Sequence, residues 1–193
     1  MTLPEIIGDL KESSISLLLS KVTGTLSEKN DLKNDLLLTS IGKCGEKSCP
    51  GNRINNGECQ SLLERDYFFY LSFENSDCID YVTEKFFMAL QMDIVPVVLG
   101  GANYSAIAPP KSFINANDFS SPLELAQELQ RLSVTEEEYL EYFRWKSDYR
   151  VEKQADRIQR MGCSLCKALN EPRPLNSYHN LAAWWRGGGK CKM

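Results

Sequence analysis

Two apolar stretches, DYFFYLSF (66–73) and VPVVLGG (95–101), bracket an amphipathic one, YVTEKFFMALQM (81–92). No other feature of the chain restricts its fold as much. The first stretch is dense in aromatic residues that favour pleated, half-buried surfaces, and it reads as a buried strand. In the second, Val82, Phe86, Ala89 and Leu90 recur at helical spacing and form an inward stripe. Asp80 is the expected cap of that helix. The third is apolar on both faces, the pattern of a strand covered on both sides in a parallel sheet. Strand, helix and strand make a βαβ unit, whose crossover is expected to be right-handed. The fold class is α/β, a parallel sheet with flanking helices.

The remaining segments are read with the same rules. SSISLLLS (13–20) is a short β-like run, and SEKNDLKNDLLL (27–38) a weak helix with Ser27 as its cap. GKCGEKSCPGNRINNGEC (42–59) is loop, dense in Gly and Asn. SPLELAQELQRLS (121–133) is a helix capped by Ser120 or Ser121. TEEEYLEYFRWKSDY (135–149) is another, with Thr135 and Glu138 as a capping box. From MGCSLC onward the tail is irregular apart from a short helix at NLAAWW.

With 193 residues, 42% of them hydrophobic, the chain is one globular domain of ordinary size. A net charge of -4 gives no electrostatic case for a nucleic-acid partner. MTLPEIIGDLKESS lacks the basic and apolar regions of a secretory signal. LLLSKV and LLLTS are too short to span a bilayer.

Of seven cysteines, Cys44, Cys49 and Cys59 form one cluster and Cys163, Cys166 and Cys191 another, with Cys78 outside both. CSLC has zinc-ligand spacing, but no second matching pair completes a four-thiolate site. A redox role is open too, although CSLC follows no βαβ pattern. Loop cysteines beside Pro and Gly suit disulfides in an oxidising compartment, and that reading is preferred. The odd count leaves one thiol free or paired elsewhere.

Between the first strand and the helix lies FENSDCIDYVTEK (73–85). In open α/β sheets ligands bind beyond the carboxyl ends of the strands, where a following helix offers free N–H groups and a partial positive charge. Lys85, in the first helical turn, adds a full charge suited to a phosphate. Glu84 beside it suits sugar hydroxyls such as a ribose diol. Asn75 can donate and accept at the strand tip, and Tyr81 offers a ring edge and a hydroxyl. The plainer reading is that Glu84 is a dipole partner and Asn75 a turn residue. Neither G-x-G-x-x-G nor a phosphate-loop motif is present.

YLSFENSDCIDYVTEKFFMAL followed by VPVVLGGANYSAIAPPKSFINANDF resembles the signature of the α1,3/α1,4-fucosyltransferases. SPLELAQELQRL, EYFRWKSDY, CSLC, the Trp184–Trp185 pair and a final cysteine fit the same family, so the resemblance covers about residues 42–191. It implies the C-terminal half of a GT-B fold, a Rossmann-like domain that holds GDP-fucose. Residues 1–41 are then a divergent start of that domain, 42–150 its GDP-fucose-binding core and 151–193 a Cys/Trp-containing tail. The matching donor-site positions are Asn75, Tyr81, Glu84 and Lys85, with the glutamate on the ribose and the lysine on the diphosphate.

The chain departs from that pattern in two ways. Where the family has an upstream arginine on the diphosphate, SEK offers Lys29, which lacks the bidentate fork of arginine. The acceptor domain, which carries the general base, is expected to be absent, as are the stem and membrane anchor, so no catalytic residue is assigned. The implied reaction is inverting α1,3 transfer of fucose to a hydroxyl of N-acetylglucosamine on a glycan or glycoprotein. The alternative is a GDP- or GDP-fucose-binding module without turnover. The fold requires no metal, although Mn2+ stimulates family members. The family lies on the lumenal side of the Golgi as single-pass membrane proteins.

Glu74 is read as support for the loop rather than as the base, because strand alternation turns it away from Asn75. Asn103-Tyr104-Ser105 is a candidate N-glycosylation sequon at Asn103, with Tyr104 alternatively lining the cleft. His179 receives no role. Trp145, Trp184 and Trp185 are read as packing residues.

Overall fold

The computed structural model describes residues 16–20, 38–41, 57–152, 154–172, 177 and 179–188. Its centre is the expected βαβ unit. Strand β3 (Tyr67–Phe73) pairs in parallel with β4 (Val95–Leu99), Phe69 facing Val95 and Phe73 facing Leu99. Helix α2 (Glu84–Gln91) connects them. A two-residue strand β5 (Ile114–Asn115) adds in parallel to β4. Strand β1 (Ser16–Ser20) runs antiparallel to β3 on the other side, and β2 (Leu38–Ile41) antiparallel to β1. The order is β2-β1-β3-β4-β5. The sheet is thus parallel over the three strands that carry the junction and antiparallel at its other edge.

Strand alternation explains why both faces are buried. Phe69, Leu71, Val95, Val97 and Ile114 pack on one side against Leu125, Leu129 and Leu132 of α3 (Pro122–Val134). Tyr67, Tyr70 and Ile94 pack with Met88 and Ala89 of α2, and with Cys59 and Leu63 of α1 (Gly57–Asp66). A third cluster joins Phe86, Leu90 and Val98 to Tyr104 and Trp145. The inward helical stripe of Phe86, Ala89 and Leu90 is buried as expected, and Val82 packs beside it just before the helix.

Several local expectations are corrected. Residues 57–59 are not loop: they open α1, whose Cys59 and Leu63 lie one helical turn apart and are both fully buried. Asp80 does not cap α2. It adopts a left-handed φ of 62°, and the helix begins after Thr83. The run 135–149 divides into α4 (Glu136–Glu141) and a short 3-10 turn at Arg144–Ser147. No capping box forms there, because the Thr135 hydroxyl donates to the Arg131 carbonyl and Glu138 pairs with the Arg131 guanidinium.

The tail is not irregular. Helix α5 (Gln154–Asn170) runs through MGCSLC, with Ile158, Met161, Leu165 and Leu169 at helical spacing and all exposed. The helix expected at NLAAWW is present as α6 (Leu181–Gly188), where the Asn180 side chain accepts from the Ala183 N–H. Ser121 caps α3, its hydroxyl accepting from the Glu124 N–H. The helix expected over 27–38 lies outside the described residues except for Leu38, which opens β2. Residues 42–56 also lie outside them.

Leu129, 1% exposed, presses on the sheet from α3. Leu129→Ala should lower stability by about 3 kcal/mol through lost burial and the cavity left behind. Urea denaturation of both proteins checks this.

Candidate functional site at the end of the parallel strands

The junction is built outward from the carboxyl ends of β3 and β4. The Glu74 N–H still donates to the Leu99 carbonyl, so strand pairing persists one residue beyond β3. The backbone then leaves the sheet through a loop that turns at Cys78 to Tyr81 and reverses at Asp80. It re-enters as α2 with Thr83 at the cap position.

Glu74 holds this return. Its side chain is fully enclosed, and its carboxylate accepts from the Thr83 N–H at 2.8 Å and from the Thr83 hydroxyl at 2.8 and 3.1 Å. In a capping box the third helical residue takes the cap N–H. That residue is Phe86 here, which has no acceptor, and a glutamate from the preceding strand takes the bond instead. The Thr83 hydroxyl is thereby turned away from the first-turn N–H groups, which no side chain caps. Those groups carry the positive end of the helix dipole.

Lys85 lies over the same place. Its side chain is 14% exposed, and its Nζ donates to the Asn75 side-chain oxygen at 2.8 Å and lies 3.8 Å from the Glu74 carboxylate. Asn75 and Lys85, ten positions apart in the chain, are therefore in contact. Tyr81 is half-buried at the loop's end. Glu84 is exposed and projects differently, into a cavity of about 560 Å³ between α2 and the segment Trp145 to Arg160. That cavity is floored by Phe87, Met88 and Trp145 and rimmed by Arg150, Arg157 and Arg160. Asn75 and Lys85 thus share one side of the helix start while Glu84 faces another. Lys29 lies outside the described residues.

Two glycines close the end of β4. A Cβ on Gly100 would sit 2.7 Å from the Tyr104 hydroxyl and 3.3 Å from Glu74 Cγ. One on Gly101 would sit 2.6 Å from the Asp77 carboxylate and 2.9 Å from the Cys78 carbonyl carbon and oxygen. Only glycine lets the loop pack this closely. Tyr104 is buried against the edge of Phe86, so it does not line the cleft. Its hydroxyl has no hydrogen-bond partner among the described residues. Burial, with the charges of Glu74 and Asp77 nearby, pushes its phenol well above the ordinary tyrosine range.

Thr83 and Asn117 were not singled out from the sequence. Thr83 is the hinge of the Glu74 contact, and the Asn117 side chain donates to the Gly100 carbonyl at 3.1 Å. A threonine just ahead of a helix-favouring Glu-Lys pair is a cap signal in the sequence.

Cys59 and Cys78 are each disulfide-bonded. Cys163 and Cys166 are free and exposed on α5. Cys44, Cys49 and Cys191 lie outside the described residues. Among the described residues no group of three or more His, Cys, Asp or Glu side chains is placed to hold a metal ion. Asn103 is exposed. Trp145 is buried as a packing residue, whereas Trp184 is half exposed. The side chain of Trp185 lies outside the description, and His179 is exposed.

The family model for the C-terminal part of glycosyltransferase family 10 (fucosyltransferase) matches residues 11–184. The chain belongs to this fucosyltransferase family. Among its relatives, α-(1,3)-fucosyltransferase C of Drosophila melanogaster is 40% identical over 168 residues, covering 83% of this chain and 38% of that protein. Glycoprotein 3-α-L-fucosyltransferase A of the same fly is 37% identical over 175 residues, covering 87% and 33%. The chain thus spans about a third of the length of these fucosyltransferases. A crystal structure of an α1,3-fucosyltransferase with GDP-fucose superposes with a TM-score of 0.47 at 22% identity, covering 69% of this chain and 40% of that one.

The glycine packing yields a test. Gly100→Ala should destabilise the fucosyltransferase domain by about 1–3 kcal/mol through overpacking. Tyr104→Phe removes the hydroxyl that the new Cβ meets, so the double variant should regain most of the loss. Tyr104→Phe alone should be neutral or stabilising, because it deletes an unpaired buried donor. Chemical denaturation of the three variants reads all of these outcomes.

Proposed function

We propose that this chain is the donor-binding portion of an α1,3-fucosyltransferase, which moves fucose from GDP-fucose to a hydroxyl of N-acetylglucosamine with inversion. The reading is carried by one observation: Lys85 is held beside the uncapped start of α2, at the carboxyl end of parallel strands. The family membership supports the chemistry, and the geometry of the helix start is compatible with it. The diphosphate lies over the first turn of α2, where Lys85 and the free N–H groups meet its charge. The ribose diol faces Glu84 on the neighbouring flank. Tyr81 and Asn75 border the fucose end.

In transfer, the anomeric C–O bond to the diphosphate breaks as the acceptor oxygen bonds to the same carbon from the opposite face. Negative charge grows on the departing GDP. Lys85 and the helix start stabilise it, because they are fixed before the reaction and need not reorganise. The acceptor hydroxyl loses its proton to a general base. Glu74 does not fill that role, since it is enclosed and its carboxylate is engaged by Thr83. The base is proposed to come from an acceptor-binding portion of the enzyme.

The disulfide-bonded Cys59 and Cys78 and the exposed Asn103 sequon support a lumenal, oxidising compartment. The Golgi lumen is the compartment proposed. Among the described residues no helix is long and apolar enough to cross a membrane.

Calorimetric titration of GDP tests the reading. The native chain should give measurable binding heat, and Lys85→Ala should weaken binding roughly 10- to 100-fold, the range of a lost charge-assisted contact. No heat with the native chain would overturn the donor site. Transfer of labelled fucose to a GlcNAc acceptor by this chain alone should be negligible, and robust turnover would place the base within it.

A further inference from the structure

Glu74 raises a question that the donor reading leaves open. A fully enclosed carboxylate 3.8 Å from Lys85 is, by charge alone, a poor neighbour for a phosphate site. It repels the ligand and partly neutralises the lysine. Buried carboxylates are uncommon unless hydrogen-bonded and paired. Glu74 is both, and its partners are Thr83, the cap of α2, and Lys85, the second residue of that helix.

We infer that Glu74 is a positioning residue for anion binding: it fixes the start of α2 and aims Lys85, and this outweighs its repulsion of the ligand. The inference rests on the donor reading above. Three observations carry it. First, the carboxylate replaces a capping box that the helix cannot form from its own third residue, Phe86. Second, by engaging the Thr83 hydroxyl it leaves the first-turn N–H groups without a side-chain cap, open to a ligand. Third, it confines the Lys85 amine from one side while Asn75 confines it from another at 2.8 Å. A flexible lysine so confined loses less freedom when an anion arrives. The glycine pair makes the arrangement possible, because a Cβ on Gly100 would press on Glu74 Cγ at 3.3 Å.

The two effects of Glu74 predict opposite signs, so a single isosteric change separates them. Glu74→Gln keeps a side-chain oxygen for Thr83 and removes the charge that faces Lys85. If repulsion governs, GDP binds more tightly to the variant. If positioning governs, it binds more weakly, by roughly five- to tenfold. The loss must also run through the lysine. In a double-mutant cycle, Glu74→Gln should weaken GDP binding in the native background and change it less than about twofold in a Lys85→Ala background.

Calorimetry with GDP on the full chain reads the cycle, and thermal denaturation verifies that each variant is folded. Should Glu74→Gln fail to fold, Thr83→Val serves in its place. It deletes the hydroxyl that engages the carboxylate and should weaken GDP binding, while Thr83→Ser should restore it. Tighter binding by Glu74→Gln, or an equal loss in both backgrounds, would overturn the inference. If Lys85→Ala itself leaves GDP affinity unchanged, it is the donor reading that fails instead.

Discussion

At the tip of β3 the enclosed carboxylate of Glu74 takes both the N–H and the hydroxyl of Thr83, nine residues further along the chain. That contact closes the loop between strand and helix at the start of α2, beside Lys85. The rest of the site is arranged around it. Asp80 adopts a left-handed conformation in the loop. Two glycines bring the end of β4 against the same loop. The buried stripe of α2 anchors the helix so that its first turn is presented rigidly. A helix start built this way is pre-organised, as the proposed anion contact requires of a lysine with many rotamers.

The same contact carries a local conflict. A negative charge is enclosed beside a site read as anionic in preference, and a buried tyrosine hydroxyl nearby lacks a partner among the described residues. Departures from ordinary packing rules concentrate at functional sites, where geometry is favoured over stability. Away from the junction the domain follows those rules closely. Both faces of β3 and β4 are covered, Tyr139 donates its buried hydroxyl to the Phe68 carbonyl at 2.9 Å, and Lys146 meets the Met92 carbonyl just past α2 and the Asp93 carboxylate.

Much of this was legible from residue patterns because the relevant signals are local and redundant. The aromatic strand, the helical stripe of Phe86, Ala89 and Leu90, and the apolar VPVV run each point to one element, and together they specify the βαβ unit. Pro122 and Glu124 announce a helix start, and of the two candidate caps, Ser120 and Ser121, the structure uses Ser121. Other features depend on contacts far apart in sequence. Aspartate is a strong cap by type, so the sequence points to Asp80, but Glu74 reaches across from the tip of β3 and the helix starts after Thr83. The Thr135 and Glu138 box was displaced by Arg131, which takes both partners. Gly162 in the middle of α5 weakens its helical signal, although Ile158, Met161, Leu165 and Leu169 mark its apolar face. Lys85 and Asn75 were both named from sequence, while their direct contact needed the fold.

The central claim is that the start of α2, with Lys85, is where a nucleotide diphosphate rests. A crystal structure of the chain grown with GDP addresses it directly. The account predicts diphosphate oxygens within hydrogen-bonding distance of Lys85 Nζ and of the first N–H groups of α2, with the ribose on the Glu84 side. GDP bound with its diphosphate away from that helix start would contradict it.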